Sequence, residues 1–187
     1  KSVNCIKVKN SQLIGYNTDY YGFVNLLFEN NISLENKKIL ILGYGDAART
    51  IILSLFNEYN CEIYIYGRNK DKIKNLITII KNKFNNKIIN LYDKQVDHNL
   101  ILINCLPLKI DSKNVKSLLS YLPITDIDKC IDLNYVQSEL SLGISKNCEI
   151  ISGLDMLIYQ AIKSFDLWFD NKYVERINYL DLKNSII

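Results

Sequence analysis

The chain has 187 residues, of which 48% are hydrophobic and 23% are charged, a composition typical of a globular domain. Its 23 basic and 20 acidic residues leave a net charge of +3, and the basic residues are scattered along the chain, which argues against a nucleic-acid-binding surface. The longest apolar runs are too short to span a bilayer, and no basic-then-apolar leader opens the chain. We therefore expect a cytoplasmic protein that contacts neither nucleic acid nor membrane.

The cysteines and the single histidine give no sign of a metal site or of a disulfide framework. The cysteines are odd in number, widely spaced and without a CxxC pair: Cys5, Cys61, Cys105, Cys130 and Cys148. We expect them to be reduced, buried small hydrophobes. His98 lies in a polar stretch where we expect it to be solvated, so no metal is predicted. The chain opens on Lys1 and runs at once into an apolar stretch, and we expect the N-terminal part of a longer protein to precede it.

The start of the chain predicts a short β-hairpin followed by a helix. Apolar residues alternate weakly on both sides of the turn-prone Lys9-Asn10-Ser11, which is typical of two antiparallel strands. Thr18 or Asp19 is then placed to cap a helix. The apolar positions of this helix repeat at helical spacing and are Phe23, Leu26, Leu27 and Ile32. We draw one domain boundary near residue 17, between the hairpin and this helix.

From Lys38 onward, short apolar runs alternate with amphipathic stretches, a pattern typical of βαβ units. Strands are predicted at Ile39–Leu42, Glu62–Tyr66, Lys87–Leu91, Leu100–Asn104, Cys130–Leu133 and Glu149–Ile151. Helices are predicted from Ala48 to Tyr59, over Lys70–Phe84 and over Leu154–Phe169. The last helix carries a broad apolar stripe of Leu154, Leu157, Ile158, Ala161, Ile162, Phe165 and Trp168. The predicted fold class is α/β, a doubly wound, Rossmann-type parallel sheet with helices on both faces.

A glycine-rich turn follows the first of these strands. Gly43-Tyr44-Gly45-Asp46-Ala47-Ala48 fits the pattern G-x-G-x-x-G/A at the junction of a strand and a helix. Gly43 permits the tight turn, the missing side chain of Gly45 lets a pyrophosphate approach the backbone, and small Ala48 lets helix and strand pack closely. Free N–H groups and the positive end of the helix dipole favour an anion there. The turn predicts nucleotide binding, and a purely structural glycine turn is the alternative.

The next strand ends in a basic segment, Tyr66 to Lys72, where NAD enzymes carry an acidic side chain for the ribose 2′-hydroxyl. Arg68 is placed to form charge-assisted hydrogen bonds to a 2′-phosphate, with Lys72 close behind, so NADP is favoured over NAD. A solvated basic helix start is the alternative. Asp46 argues against tight binding, because its carboxylate would repel a pyrophosphate by up to about 3 kcal/mol at a separation of about 5 Å.

Four stretches, in chain order, resemble the motifs of the shikimate dehydrogenase family: Val3–Ile6, Ile14–Gly22, Leu42–Arg49 and Gly153–Ala161. The resemblance covers essentially the whole chain and implies the C-terminal two-thirds of such an enzyme. Residues 1–17 would end an N-terminal α/β substrate-binding domain, and residues 18–187 would form the NADP-binding Rossmann domain. The implied activity is reversible, NADP-dependent reduction of 3-dehydroshikimate to shikimate, in chorismate and aromatic amino acid biosynthesis. The protein would act on this small molecule as a monomer or homodimer, or as a module of a multifunctional polypeptide.

The resemblance also implies the site residues. Asp19 matches an aspartate that pairs with a lysine of the preceding domain and handles the substrate's proton during hydride transfer. Substrate contacts are implied for Asn4, Asp19, Tyr135 and Gln160. Cofactor contacts are implied for Gly43, Tyr44, Gly45, Asp46, Ala47, Gly67, Arg68, Asn69, Lys72, Leu133 and Gly153. Asp19 can alternatively cap the helix, and Gln160, on a line with Met156 and Ser164 away from the apolar stripe, can face a cleft or solvent.

Several positions depart from the family's pattern. The usual Asn-Ala-Thr-Pro-x-Gly-Met becomes Asn104 to Ile110, which loses a threonine and a glycine and places Lys109 beside the cofactor cleft. Asn-Arg-Thr is replaced by Gly67-Arg68-Asn69, and Gln137 stands where a proline is usual. Two alternatives therefore stay open: a non-catalytic nucleotide- or substrate-binding relative, and a quinate/shikimate dehydrogenase that uses NAD. We expect these 187 residues alone to be inactive, because the catalytic lysine would precede Lys1 and hydride transfer needs a held substrate.

Overall fold

The structure, a computed structural model, describes residues 2–94, 99–170 and 177–186. Its elements in chain order are β1 Cys5–Lys9, β2 Gln12–Tyr16, α1 Asp19–Glu29, β3 Lys38–Leu42, α2 Asp46–Glu58, β4 Glu62–Tyr66, α3 Lys70–Lys83, β5 Ile88–Leu91, β6 Leu100–Asn104, α4 Ser112–Tyr121, a 3₁₀ turn Ile124–Asp126, β7 Ile127–Asp132, α5 Glu139–Ile144, β8 Glu149–Ser152, α6 Leu154–Phe169 and α7 Tyr179–Ile186. Two compact units are present: residues 1–33 with 154–187, called unit 1, and residues 34–153, called unit 2. No helix in the described ranges is long and apolar enough to cross a bilayer.

Unit 1 contains the predicted hairpin. β1 and β2 pair in antiparallel register, with Lys9 opposite Gln12. Asn10 and Ser11 between them have φ values of +49° and +60°, the left-handed values that a two-residue hairpin turn requires. The helix α1 ends at Glu29, so Ile32, which the sequence places on this helix, is instead buried just beyond it.

The predicted apolar stripe of α6 is buried only in part: Leu154 and Ile158 are buried as expected, whereas its other members are partly or largely exposed. Ala161 is exposed and Trp168 is 53% exposed, whereas Met156 and Ser164 on the predicted polar line are buried. The reason is that α1 packs closely along that line. A Cβ on Gly22 of α1 would lie only 2.5 Å from the carbonyl oxygen of Met156.

Unit 2 is built on a six-stranded sheet in the order β5-β4-β3-β6-β7-β8, with all neighbouring strands parallel. The strand order reverses between β3 and β6, the place at which doubly wound sheets bind ligands. Ile39 to Leu42 and Leu100 to Asn104 are buried throughout, as expected for central parallel strands covered on both faces. The predicted α/β fold class is confirmed.

Helices cover both faces of this sheet. On one face, Leu40, Leu102 and Cys130 pack with buried residues of α4 and α5. Because side chains alternate along a strand, Ile39 and Ile41 point to the other face, and both are completely buried. The predicted helices α2 and α3 each carry a buried apolar face, which includes Ile51 and Leu55 of α2 and Ile73 and Ile77 of α3.

Other sequence-based expectations differ from the structure in detail. The helices α4, α5 and α7 are not predicted, and β7 begins at Ile127 rather than Cys130. All five cysteines are free; Cys5, Cys61 and Cys130 are buried as expected, whereas Cys105 and Cys148 are partly exposed. The two units divide after Ser33 and Gly153, not near residue 17, because α1 packs on α6 and so joins the hairpin's unit.

Candidate functional site

The glycine turn joins β3 to α2 beside the reversal of strand order. Gly43 has a φ of +107°, which favours glycine, and a Cβ there would lie 3.3 Å from the carbonyl oxygen of Cys105. Gly45 is the N-cap of α2, and a Cβ on it would meet no atom within 4 Å. Ala48 of α2 is fully buried. The turn therefore leaves open space in front of the N–H groups of α2, where an anion is favoured.

A cavity of about 650 Å³ opens at this turn, a size typical of small-molecule and cofactor sites. It is lined by the turn, by the end of β4 and by the segment that runs from β6 into α4. The predicted cofactor residues on its wall are Gly43, Tyr44, Gly45, Asp46, Ala47, Gly67 and Arg68. The predicted cofactor residues that do not line it are Asn69, Lys72, Leu133 and Gly153.

The side chain of Asp46 is 80% exposed, and its Oδ1 lies 3.7 Å from Nη1 of Arg49 one turn along α2. An exposed ion pair of this kind contributes little to stability. Its consequence here is electrostatic, because the carboxylate remains hydrated and has a cation beside it. The repulsion that Asp46 would exert on a pyrophosphate is thereby reduced.

The end of β4 places one predicted basic side chain on the cavity wall. Gly67 lies against the ring of Tyr44, because a Cβ on Gly67 would be 2.7 Å from Cδ1 of that ring. Arg68 follows, exposed and lining the cavity. Asn69, which does not line the cavity, caps α3: its Oδ1 accepts a hydrogen bond of 2.9 Å from the backbone N–H of Lys72. Arg68 is therefore the predicted basic residue best placed to meet a ligand in the cavity.

A buried carboxylate at the ends of β6 and β7 organises the neighbouring wall. Oδ1 of Asp132 accepts hydrogen bonds from the side chain of Asn104 at 2.9 Å and from the side chain of Asn134 at 2.8 Å, and Oδ2 accepts one from Ser138 at 2.5 Å. Asn104 in turn accepts a hydrogen bond of 3.1 Å from the N–H of Leu106, which lines the cavity. This network was not predicted from the sequence. Its signal is that two neighbouring apolar strands end in polar residues, which parallel pairing brings to one edge.

Leu133 and Gly153 lie against each other beside this network. A Cβ on Gly153 would be 2.1 Å from the carbonyl oxygen of Leu133, and the N–H of Gly153 donates to the carbonyl oxygen of Asn134 at 3.0 Å. The glycine therefore permits a backbone contact that no other residue could make. Tyr135, the predicted substrate residue of this segment, is 56% exposed.

In unit 1, three of the predicted substrate residues meet around the start of α1. Nδ2 of Asn4 donates to Oδ1 of Asp19 at 2.7 Å and to Oγ1 of Thr18 at 3.0 Å. The hydroxyl of Thr18, which is 1% exposed, lies 3.3 Å from Oε1 of Gln160 and 3.0 Å from the hydroxyl of Ser164. The N-cap of α1 is Thr18 rather than Asp19, and its side chain makes no capping hydrogen bond. Thr18 is thus the buried centre of the cluster, a role that the sequence analysis missed.

The environment of Asp19 favours its protonated form. Burial raises the pKa of this carboxyl, and the hydrogen bond from Asn4 offsets only part of that effect. A half-buried carboxyl with a raised pKa is better suited than a fully hydrated one to take up and return a proton.

Within the described ranges, no group of three or more His, Cys, Asp or Glu side chains is arranged to hold a metal ion. His98, which we predicted to be solvated, lies outside those ranges.

The parallel sheet, the glycine turn at its reversal of strand order and the basic residue after the neighbouring strand define the doubly wound α/β class whose members bind dinucleotides at such a turn. Residues 26–132 match the model of one family in this class, shikimate / quinate 5-dehydrogenase. The match covers more than half of the chain, which therefore belongs to the shikimate / quinate 5-dehydrogenase family.

Individual relatives are similar over most of this chain. It is 36% identical over 174 residues to the NADP(+) shikimate dehydrogenase of Clostridium botulinum (strain Hall). The aligned region covers 89% of this chain and 64% of that protein. It is 28% identical over 168 residues to the NADP(+) shikimate dehydrogenase of Aquifex aeolicus. That aligned region covers 89% of this chain and 60% of the Aquifex protein. A crystal structure of a shikimate dehydrogenase in complex with NADP+ superposes with a TM-score of 0.77 at 27% identity, covering 99% of this chain and 66% of that chain. The chain thus spans less than two thirds of the length of these relatives.

Proposed function

We propose that the protein is an NADP-dependent dehydrogenase that reversibly reduces 3-dehydroshikimate to shikimate. Membership of the family supports the class of reaction, and the relatives named as NADP(+) shikimate dehydrogenases support the substrate and the cofactor. In this proposal unit 2 binds the cofactor, and the polar cluster at the start of α1 in unit 1 binds the substrate.

The residues around the cavity of unit 2 fit a phosphate-rich dinucleotide. Gly43 shapes the turn, Gly45 leaves the N–H groups of α2 accessible to the pyrophosphate, and Arg68 supplies the charge for a 2′-phosphate. The family resemblance assigns Leu133 and Gly153 to the nicotinamide end. NADP, when bound, supplies the carbon that accepts or returns the hydride.

Asp19 carries the proton chemistry in this proposal. When the secondary alcohol of shikimate loses a hydride from carbon, its hydroxyl must lose a proton, and the ionised Asp19 takes that proton. In the reverse direction Asp19 returns the proton to the carbonyl oxygen as the hydride arrives. Asn4 holds one carboxylate oxygen of Asp19 in place. Gln160 is suited to donate to another substrate hydroxyl, and the family resemblance implies a substrate contact for Asn4 as well. The family resemblance implies that a lysine of the full-length protein shares the reacting hydroxyl.

One observation supports the proposal most directly: the half-buried carboxyl of Asp19 has a raised pKa and accepts a 2.7 Å hydrogen bond from Asn4. The test is shikimate-dependent NADPH formation by the full-length protein. We expect Asp19→Asn to lower kcat by about 10²- to 10⁴-fold and to leave NADP affinity unchanged. Asp181→Asn, which alters an acidic residue in the first turn of α7, is the matched control. Turnover of Asp19→Asn close to that of the control would contradict the proposed role.

Cofactor preference separates the proposal from its two alternatives. Titration calorimetry on the full-length protein should show tighter binding of NADP+ than of NAD+, and Arg68→Met should remove that difference. Tighter binding of NAD+ together with oxidation of quinate would favour the NAD-dependent dehydrogenase. Binding of neither cofactor would favour the non-catalytic relative.

A further inference from the structure

The cavity of unit 2 has four charged side chains on its wall: Asp46, Arg68, Lys109 and Asp111. Both acidic side chains are engaged locally. Asp46 lies beside Arg49, and the Asp111 carboxylate accepts a hydrogen bond of 3.2 Å from the first turn of α4, which it caps. The two basic side chains have no hydrogen-bond or ion-pair partner among the residues that the structure describes. The charged side chains that remain unengaged on this wall are therefore both positive.

The two basic residues stand on opposite flanks of the glycine turn. Arg68 follows β4 and Lys109 follows β6, and these strands are the two neighbours of β3. The segment that carries Lys109 is fixed against the turn, because the N–H of Cys105 donates to the carbonyl oxygen of Leu42 at 3.0 Å. The carbonyl oxygen of Cys105 also lies 3.3 Å from the position of a Cβ on Gly43. Lys109 thus lies in a segment that touches the phosphate-binding turn directly.

We propose that Lys109 binds the pyrophosphate of the dinucleotide, whereas Arg68 binds the 2′-phosphate. This inference rests on the proposed function. Two unengaged cations on either side of an open helix N-terminus suit a ligand with two separated anionic groups. A lysine ammonium on a flexible stem can approach a phosphate as a point charge, and here it also offsets the negative charge of Asp46. Because NAD and NADP share the pyrophosphate, Lys109 controls affinity for both, and Arg68 controls the preference between them.

The test is calorimetric binding of NADP+ and of NAD+ to the full-length protein at one ionic strength. We expect Lys109→Met to weaken both cofactors by the same factor, about tenfold, as for the loss of a charge-assisted hydrogen bond. Arg68→Met should weaken NADP+ and leave NAD+ unchanged. Lys113→Met, which removes an exposed lysine of α4 that does not line the cavity, should change neither affinity.

Each other outcome overturns the inference. Unchanged affinities in Lys109→Met would remove Lys109 from the site, and a loss confined to NADP+ would assign it to the 2′-phosphate instead. If the unaltered protein binds neither cofactor, the proposed function fails, which the wild-type titration shows by itself. Thermal unfolding of Lys109→Met checks that the exposed substitution leaves the fold intact.

Discussion

At the scale of single residues, the chemistry of Asp19 depends on contacts that join distant parts of the chain. The sequence motif identifies Asn4, Asp19 and Gln160 as a group, and the structure places all three around Thr18. The motif does not reveal that Thr18 is the buried centre, because a threonine before a helix is ordinarily a cap, and its burial arises only when α6 packs beside it. Residue types were therefore predictable here, and their roles in the packing were not.

The hydrogen bond from Asn4 predicts how activity responds to pH. Asn4→Ala removes the contact that lowers the pKa of Asp19 and leaves the burial that raises it, so the pKa rises further. Asp19 must be ionised to accept the proton, so activity is lost as the pH falls through its pKa. We expect the acidic limb of the kcat/KM profile for shikimate oxidation to move to higher pH in Asn4→Ala. Asn25→Ala, which removes an exposed side-chain hydrogen bond within α1, is the control, and equal profiles for the two variants would contradict the prediction.

At the scale of elements, the bounds of α6 follow from its sequence, but its packing face does so only in part. Periodicity is a local property, so the predicted range Leu154–Phe169 agrees with the structure. Which line of the helix is buried depends on Gly22, a residue of another element. The short helices α4 and α5 were not predicted for a related reason. Each has few apolar positions, and its stability depends on packing against the sheet.

The close approach of α1 and α6 predicts the effect of adding one methyl group. Gly22→Ala gains about 1 kcal/mol of helix propensity, but its Cβ would meet the backbone of Met156 at 2.5 Å, which a side-chain movement cannot relieve. We expect a net loss of about 1–3 kcal/mol in the free energy of unfolding, as for other overpacked sites. In Gly143→Ala of α5 the three nearest atoms to the new Cβ all belong to the Leu119 side chain, which can move, so a smaller loss is expected. Denaturant titration compares the two variants, and equal losses would show that backbone contact is not the cause.

The attachment of α7 to α6 is predicted to depend on pH through Asp155. Burial raises the pKa of this carboxyl, but hydrogen bonds from Lys183, Tyr179 and Asn30 lower it by more, to below its ordinary value of 3.8. A lowered carboxyl pKa stabilises the fold above the unfolded value, and this contribution is lost as the pH falls through the folded value. We expect Asp155→Asn to cost about 1–3 kcal/mol at neutral pH. The difference from wild type should shrink below pH 3.8. Asp181→Asn should match wild type throughout, and a pH-independent loss in Asp155→Asn would contradict the assignment.

At the scale of the whole molecule, the sheet was predictable and the division into units was not. Each strand of unit 2 is an apolar run between turn residues, and such runs alternating with helices specify a parallel sheet. The glycine turn is a local motif that lies where one strand and one helix meet. The boundary near residue 17 differs from the observed division because α1 and α6 lie far apart in the sequence and yet pack together in unit 1. Local patterns carry no information about such a pairing.

This division predicts where each ligand should stabilise the molecule. A ligand at about 100 times its Kd stabilises the state that binds it by about 2.7 kcal/mol, which corresponds to roughly 100-fold slower exchange of amides that open with that unit. If unit 2 holds the cofactor, NADP+ should protect the amides of β3 and β6, and shikimate should protect those around α1. Hydrogen–deuterium exchange of the full-length protein with each ligand separately measures both effects. Arg68→Met should reduce the NADP+ effect at a fixed concentration and leave the shikimate effect unchanged. Equal protection of both units by NADP+ alone would contradict the assignment of the cofactor to unit 2.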